Sequence, residues 1–197
     1  MKKLVNIKKL TNVKYLNLYK YTYILDENRQ KEYYFASRRK FQTLESKSKD
    51  IVDAVRILPY IKKNNKIYLV VIKEFRYAIN DYIFGLPAGL VEENEEPIMA
   101  VKRELEEEIG ASVINLKKVQ ANSFTSAGIS DESVECFEAE VLLDKKQKLE
   151  VDEDITYFQI ELNYILNFVD NHNFGLQSAL QLKLFYYKNK FLEVKNG

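Results

Sequence analysis

"KRELEEEIGA", residues 102–111, sets glutamate at four of five consecutive positions: Glu104, Glu106, Glu107 and Glu108. Pro97 suits a first helical turn and Gly110 the position just past a last one. Between them Ile98, Val101, Leu105 and Ile109 recur at three- and four-residue intervals, so the spacing predicts a helix over residues 97–109 with one buried apolar stripe. The glutamates are then expected to face elsewhere. Glu104 and Glu108 stand i,i+4 with Glu107 beside them, and like charges so placed repel by about 0.2–0.5 kcal/mol per pair. Carboxylates late in a helix also oppose its macrodipole. Arg103 reaches Glu107 as its i+4 neighbour, but one guanidinium does not neutralise three acids. Two readings stand open on these residues alone. One is a solvated charged face; the other is a divalent cation site, for which carboxylates suit magnesium or manganese.

The rest of the chain narrows the chemistry. Its 197 residues and 46% hydrophobic content suffice for one large domain or a domain with an appendage. With 30 basic and 29 acidic residues the net charge is +1, so no global field recruits nucleic acid or an anionic membrane. "MKKLVNIKKLTNVKYL" is too interrupted for a signal-peptide core and no apolar run approaches 18 residues, which predicts a soluble, cytoplasmic protein. Cys136, alone of its kind, falls in the alternating "SVECFEAEV" and reads as a small buried hydrophobe. The sole histidine, His172, lies in the polar loop "DNHNFG" and reads as an ordinary exposed side chain. Hydrolytic chemistry here is left to carboxylates and metal.

Residues 1–45 alternate apolar and polar in "VKYLNLYKYTYIL" and "KEYYFASRRKFQTL", with the turn-like "DENRQ" between, and predict a tyrosine-rich hairpin or small meander. Polar, aperiodic "ESKSKD" at 45–50 marks a boundary, giving an N-terminal region 1–48 and a main domain 49–197. Strands are expected at "DAVRILPYI", "KIYLVVIKEFRY", "VINLKKVQANSF", "SVECFEAEVLL" and "TYFQIEL", and helices at "ELNYILNFVDN" and "LQSALQLKLFYYKNK". Strands mixed with three helices give an α+β or αβα-sandwich class.

Counting back from Arg103, Glu95 lies eight residues earlier and Gly89 six before that. Residues 89–111 thus fit G-x5-E-x7-R-E-U-x-E-E-x-G-U, with U a bulky aliphatic, and only Ala111 is smaller than usual. This resembles the Nudix box of hydrolases acting on nucleoside diphosphates linked to another moiety. The resemblance implies an αβα sandwich with a mixed sheet, preceded by a small antiparallel β appendage. It implies Glu104, Glu107 and Glu108 as metal-binding and catalytic carboxylates, the Ala88 carbonyl completing a Mg2+ (or Mn2+) site, and Arg103 as the partner of the cluster. Glu95 would brace the motif, Gly89 and Gly110 would permit its turns, and Glu106, at an unrestricted position, would be solvated.

"KEFRYAINDYIFGLPAGLVE" is similar to the segment leading into the box of ADP-ribose pyrophosphatases, and "TSAGISDESVECFEAE" to their loop after it. By that resemblance Arg76 contacts phosphates, Arg39 or its neighbour Arg38 holds the nucleotide, and Gly128, Asp131 and Glu132 join the substrate site; Ser126 and Ser130 also match the loop pattern. Tyr15 and Tyr34 are candidates to stack on the base. Within "KLEVDEDITYF" Glu153 is the best match to a general base, with Glu150 and Asp152 as alternates. Ala127 stands where a marker proline is usual and Gly85 where a glutamate is, which leaves the sugar preference open. The resemblance implies Mg2+-dependent cleavage of ADP-ribose or a related nucleoside diphosphate sugar in a homodimer built on the N-terminal strands. A GDP- or UDP-sugar substrate, or a non-catalytic ADP-ribose-sensing module, are the alternatives.

Overall fold

The computed structural model describes residues 2–40 and 51–196. The expected boundary at 45–50 lies outside the described residues. The chain divides into two compact units, Met1–Asp53 with Asn122–Val134, and Ala54–Ala121 with Glu135–Gly197.

In the first unit, β1 (Lys3–Lys9), β2 (Asn17–Asp26) and β3 (Arg29–Ser37) form an antiparallel meander in the order β1-β2-β3. Alternation turns Tyr19 and Tyr21 of β2 and Phe35 of β3 onto one buried face, where Tyr21 and Phe35 rings lie 4.4 Å apart. Leu4 and Ile7 of β1 pack against them. β1, absent from the hairpin expectation except as a meander, supplies the third strand that a lone hairpin needs for stability.

The second unit is built on β4 (Ala54–Lys63), β5 (Lys66–Arg76), β6 (Asp81–Gly85), β7 (Ala88–Leu90), β8 (Ala111–Phe124), β9 (Ser133–Leu143) and β10 (Ile155–Glu161). The ends of β8 and β9 beyond Ala121 and before Glu135 fall in the first unit. The order is β10-β5-β4-β9-β8, with β6 added on β5 and β7 on β4. Asn64 and Asn65 at φ 51° and 59° close the β4–β5 hairpin in the left-handed turn that such hairpins favour.

Helix α1 (Pro97–Ile109) covers one face of this sheet. Val55, Ile57, Val70 and Ile72 meet Val101, Leu105 and Ile109 there. On the other face Leu58, Leu69 and Val71 pack against α2 (Ile165–Asp170) and α3 (Leu176–Asn196) through Ile165, Leu182 and Phe185. Strands β4 and β5 are apolar at successive positions because both their faces are covered. The result is the three-layer αβα arrangement.

The boundaries of α1 match the expectation, but its faces do not. Ile98 is exposed, and the buried side carries Ala100, Glu104 and Glu108 alongside Val101, Leu105 and Ile109. Two of the four glutamates therefore point inward rather than away from the core. Cys136 is half-buried in β9 rather than fully enclosed. Among the described residues no helix is long and apolar enough to cross a membrane.

Candidate active site

The site grows from the end of α1 and the strands beside it. At the helix C-terminus Gly110 adopts φ 63°, ψ 38° and its N–H caps the carbonyls of Glu106 and Leu105. Gly110 is needed for a second reason. A Cβ there would stand 2.3 Å from the Lys145 carbonyl oxygen, so only glycine lets the β9–β10 loop approach.

Gly89 does not make a turn as expected; it lies in β7, paired with Val55 of β4. Its role is proximity. A Cβ on residue 89 would fall 1.7 Å from Oε1 of Glu104, so the missing side chain is the space that the carboxylate fills. Glu104 is 7% exposed and Glu108 3%.

Arg103 ties the motif together. Its guanidinium forks onto Glu95 with two bonds of 3.0 Å, and also donates to Glu104 at 2.7 Å, Glu107 at 3.1 Å and the Leu90 carbonyl at 2.9 Å. Glu95 braces the loop before the helix by accepting the Glu92 N–H at 2.9 Å. The pairing of Arg103 with Glu95, Glu104 and Glu107 joins residues separated by up to twelve positions into one network.

Glu108 faces an open cleft of about 380 Å³ lined by Glu74, Arg76, Ala88, Glu150 and Glu153. Burial, reinforced by the charges of Glu104, Glu74 and Glu153, raises its proton affinity well above that of an ordinary carboxyl, although the Ala88 N–H donates to it. Its Oε2 atom has no hydrogen-bond partner. Burial also raises Glu104 and Glu74, each opposed by an arginine, Arg103 and Arg76 respectively.

Glu74, on β5 two residues before Arg76, is the member that sequence reasoning passed over. Its signal was the period-2 alternation that sets it on the face of Ile72, with a partner, Arg76, at 2.8 Å. A Cβ added at Gly85 would lie 3.4 Å from Glu74 Oε1, an ordinary contact, so the position borders this carboxylate without requiring glycine.

The acids of the β9–β10 loop reach the same cleft. Glu150 and Glu153 close a short turn, Glu153 N–H to the Glu150 carbonyl at 3.1 Å and Glu150 N–H to Glu153 Oε2 at 2.8 Å. Phe75 N–H donates to the Asp154 carbonyl at 3.2 Å, Tyr77 hydroxyl to that of Asp152 at 3.1 Å, and Tyr82 hydroxyl to the Asp154 carboxylate.

Glu106 is not merely solvated: it accepts from both Lys145 at 2.5 Å and Lys148 at 2.6 Å, which hold its pKa down to about 2. His172 is exposed, its ring stacked on Phe168 at 4.2 Å and Nδ1 bonded to the Phe168 carbonyl oxygen at 2.8 Å.

The donor set suits a hard divalent cation: oxygen ligands only, two of them buried, one with an orphaned atom. Among the described residues, however, no three acidic, histidine or cysteine side chains stand together as a ready cage. The reason is visible in Arg103, which holds Glu104 and Glu107 toward itself.

Arg39, Gly128, Asp131 and Glu132 all lie in the first unit. Arg39 is engaged there by Asp53, through Nε at 3.0 Å and Nη2 at 2.6 Å, and donates to Ser133 Oγ at 3.2 Å. Arg38 faces Glu132 at 3.4 Å, and the Tyr33 hydroxyl donates to the Gly128 carbonyl at 2.5 Å. Tyr15 and Tyr34 are exposed at 66% and 52%.

Comparison with known proteins is consistent with this geometry. A NUDIX domain family model matches residues 50–156. The ADP-ribose pyrophosphatase of Bacillus subtilis (strain 168) is 37% identical over 105 residues, which cover 52% of this chain and 56% of that one, so the chain spans little more than half of that relative's length. The methanol dehydrogenase activator of Bacillus methanolicus is 28% identical over 146 residues, 74% and 70% of the two chains. A crystal structure of an ADP compounds hydrolase superposes with a TM-score of 0.72 over 96% of this chain and 95% of that one at 14% identity, a likeness of fold.

Proposed function

This chain belongs to the NUDIX family, and from that premise we propose that it hydrolyses the diphosphate bond of a nucleoside diphosphate sugar, ADP-ribose first among them, to a nucleoside monophosphate and a sugar phosphate. The observation that carries this reading is the convergence of Glu74, Glu108, Glu153 and Arg76 on one cleft beside the Arg103 network. The Bacillus subtilis relative, an ADP-ribose pyrophosphatase, supports the substrate class.

Glu104, Glu107, Glu108 and the Ala88 carbonyl would hold Mg2+, with Mn2+ as a substitute. A cation held there would neutralise a diphosphate and acidify a water for attack on phosphorus. Arg76, at the cleft and steered by Glu74, is suited to grip phosphate oxygens. Glu153 is the acid proposed to take the proton of the attacking water, Glu150 and Asp152 being its neighbours in the same turn. Arg103 holds Glu104 and Glu107 toward itself, so the two carboxylates would share its charge with a cation or turn from it to meet one.

Gly85 and Ala127, where the resembling subfamily carries other residues, favour testing GDP- and UDP-sugars beside ADP-ribose. In the first unit, Arg39, Gly128, Asp131 and Glu132 remain proposed recognition residues. Residues 1–48 are the proposed dimerisation region; exposed Val13, Tyr15 and Leu16 support a homodimer, which light scattering would measure.

The test is a panel of nucleotide sugars with phosphate release coupled to a phosphatase, in magnesium. Turnover of ADP-ribose that is lost in Glu107→Gln is the expected result. Full activity in that variant would overturn the assignment of the cluster, and turnover of another sugar nucleotide alone would overturn ADP-ribose.

A further inference from the structure

Of the four clustered glutamates, Glu106 binds through its side chain to the loop that carries the proposed base. The last four carbonyls of a helix lack partners within it. Here the β9–β10 loop supplies two of them: Lys148 N–H donates to the Glu107 carbonyl at 2.9 Å, and Gln147 Nε2 to that of Glu108 at 2.5 Å. Lys145 N–H adds a bond to the Gly110 carbonyl at 2.9 Å. The ammonium groups of Lys145 and Lys148 then close on the two oxygens of Glu106. Both lysines also suit the negative end of the helix dipole.

Two residues beyond Lys148 begins the acid turn Glu150–Glu153, pinned on its far side by Phe75, Tyr77 and Tyr82. The loop is thus fixed at both ends, once to the helix bearing Glu104, Glu107 and Glu108 and once to the β5–β6 hairpin bearing Glu74 and Arg76.

We propose that the Glu106–Lys145/Lys148 clamp, with Gln147, positions the loop acid against the metal-binding carboxylates. These four are positioning residues for the hydrolysis; the inference rests on the function proposed above. The physical ground is that a misplacement of ~1 Å in a reacting group can cost about 100-fold in rate. Ion pairs as exposed as these contribute little to global stability, so their use lies in register rather than in folding.

The experiment compares the full chain with Glu106→Gln, Lys145→Ala/Lys148→Ala, and the triple variant, in saturating magnesium. Expected is a ~10-fold loss of kcat in each, with KM, the half-saturating magnesium concentration and the thermal midpoint unchanged. Because the glutamate and the lysines act through one contact, the triple variant should lose no more than either parent. Unchanged kcat in Glu106→Gln, additive losses in the triple variant, or a loss confined to magnesium affinity would each overturn the proposal. A wild-type chain that cleaves no nucleotide sugar would instead overturn the proposed function, so the two failures are distinguishable.

Discussion

Oε1 of Glu104 lies 1.7 Å from where a Cβ on residue 89 would stand. The carboxylate and the glycine are a lock and its vacancy, since no ordinary Cβ contact is that short. Gly89→Ala should therefore expel Glu104 from its place and lower turnover by about 100-fold, the scale of a 1 Å displacement. The thermal shift produced by added magnesium should shrink in parallel, which scanning fluorimetry would measure. A variant with wild-type turnover would show that Glu104 relocates without cost.

Glu108 makes the metal-free protein pH-sensitive. Burial and its acidic neighbours raise its proton affinity in the folded chain, whereas the unfolded carboxyl titrates near ~4.3. Below that pH both states are protonated and Glu108 imposes no penalty. As pH rises the unfolded chain ionises first, so stability is lost progressively until pH passes the folded value. In EDTA, thermal midpoints from pH 5 upward should fall, and Glu108→Gln should fall less. At pH 8 that variant should melt above wild type while having no turnover. Glu106 carries the opposite sign: with its pKa held down to about 2, its pairing acts above the ordinary carboxyl range and is lost on acidification toward that value, but solvent screening at this exposed site keeps the effect on stability small.

Arg103 satisfies Glu95, Glu104, Glu107 and the Leu90 carbonyl at once. Arg103→Ala leaves those groups without their shared cation and should cost about 2–3 kcal/mol by urea denaturation, below the ~3–5 kcal/mol of a fully buried pair because the guanidinium is partly exposed. Arg103→Lys keeps the charge but loses the fork, and should recover less than half of that cost.

In the first unit, adjacent arginines should behave differently. Arg39 and Asp53 are 10% and 9% exposed, while Arg38 is 39% exposed. Arg39→Ala should destabilise the chain by about 2–4 kcal/mol, because Asp53 would remain buried without its partner, and Arg38→Ala by under ~0.5 kcal/mol. Equal midpoints of denaturation in the two variants would refute the distinction.

The limits of α1, its glycine stop and strands β4, β5, β8, β9 and β10 were legible because they rest on local signals, apolar periodicity, a proline and a glycine, whereas the short β6 and β7 carry too few residues for a pattern and were not. The Arg103–Glu107 contact was legible too, since it is fixed by helical spacing. The orientation of the glutamates was not. Glu106 and Glu108 are two residues apart and chemically identical, yet one is held near pKa 2 by two lysines and the other is buried beside three acids. What separates them is the β9–β10 loop and β5, forty residues after and thirty before in the chain. Sequence spacing carries no record of which distant element will dock on which helical face.

Chain order by itself determined the box from Gly89 to Ala111, the αβα class and the tyrosine-faced N-terminal meander, since each follows from patterns a few residues long. Tertiary structure alone decided that Gly89 serves proximity rather than a turn, that Glu74 joins the cleft, and that Arg39 is held by Asp53. It also brought Glu153 to Glu108. These are consequences of packing, in which the desolvation and charge of each carboxylate are set by neighbours that the local sequence does not contain.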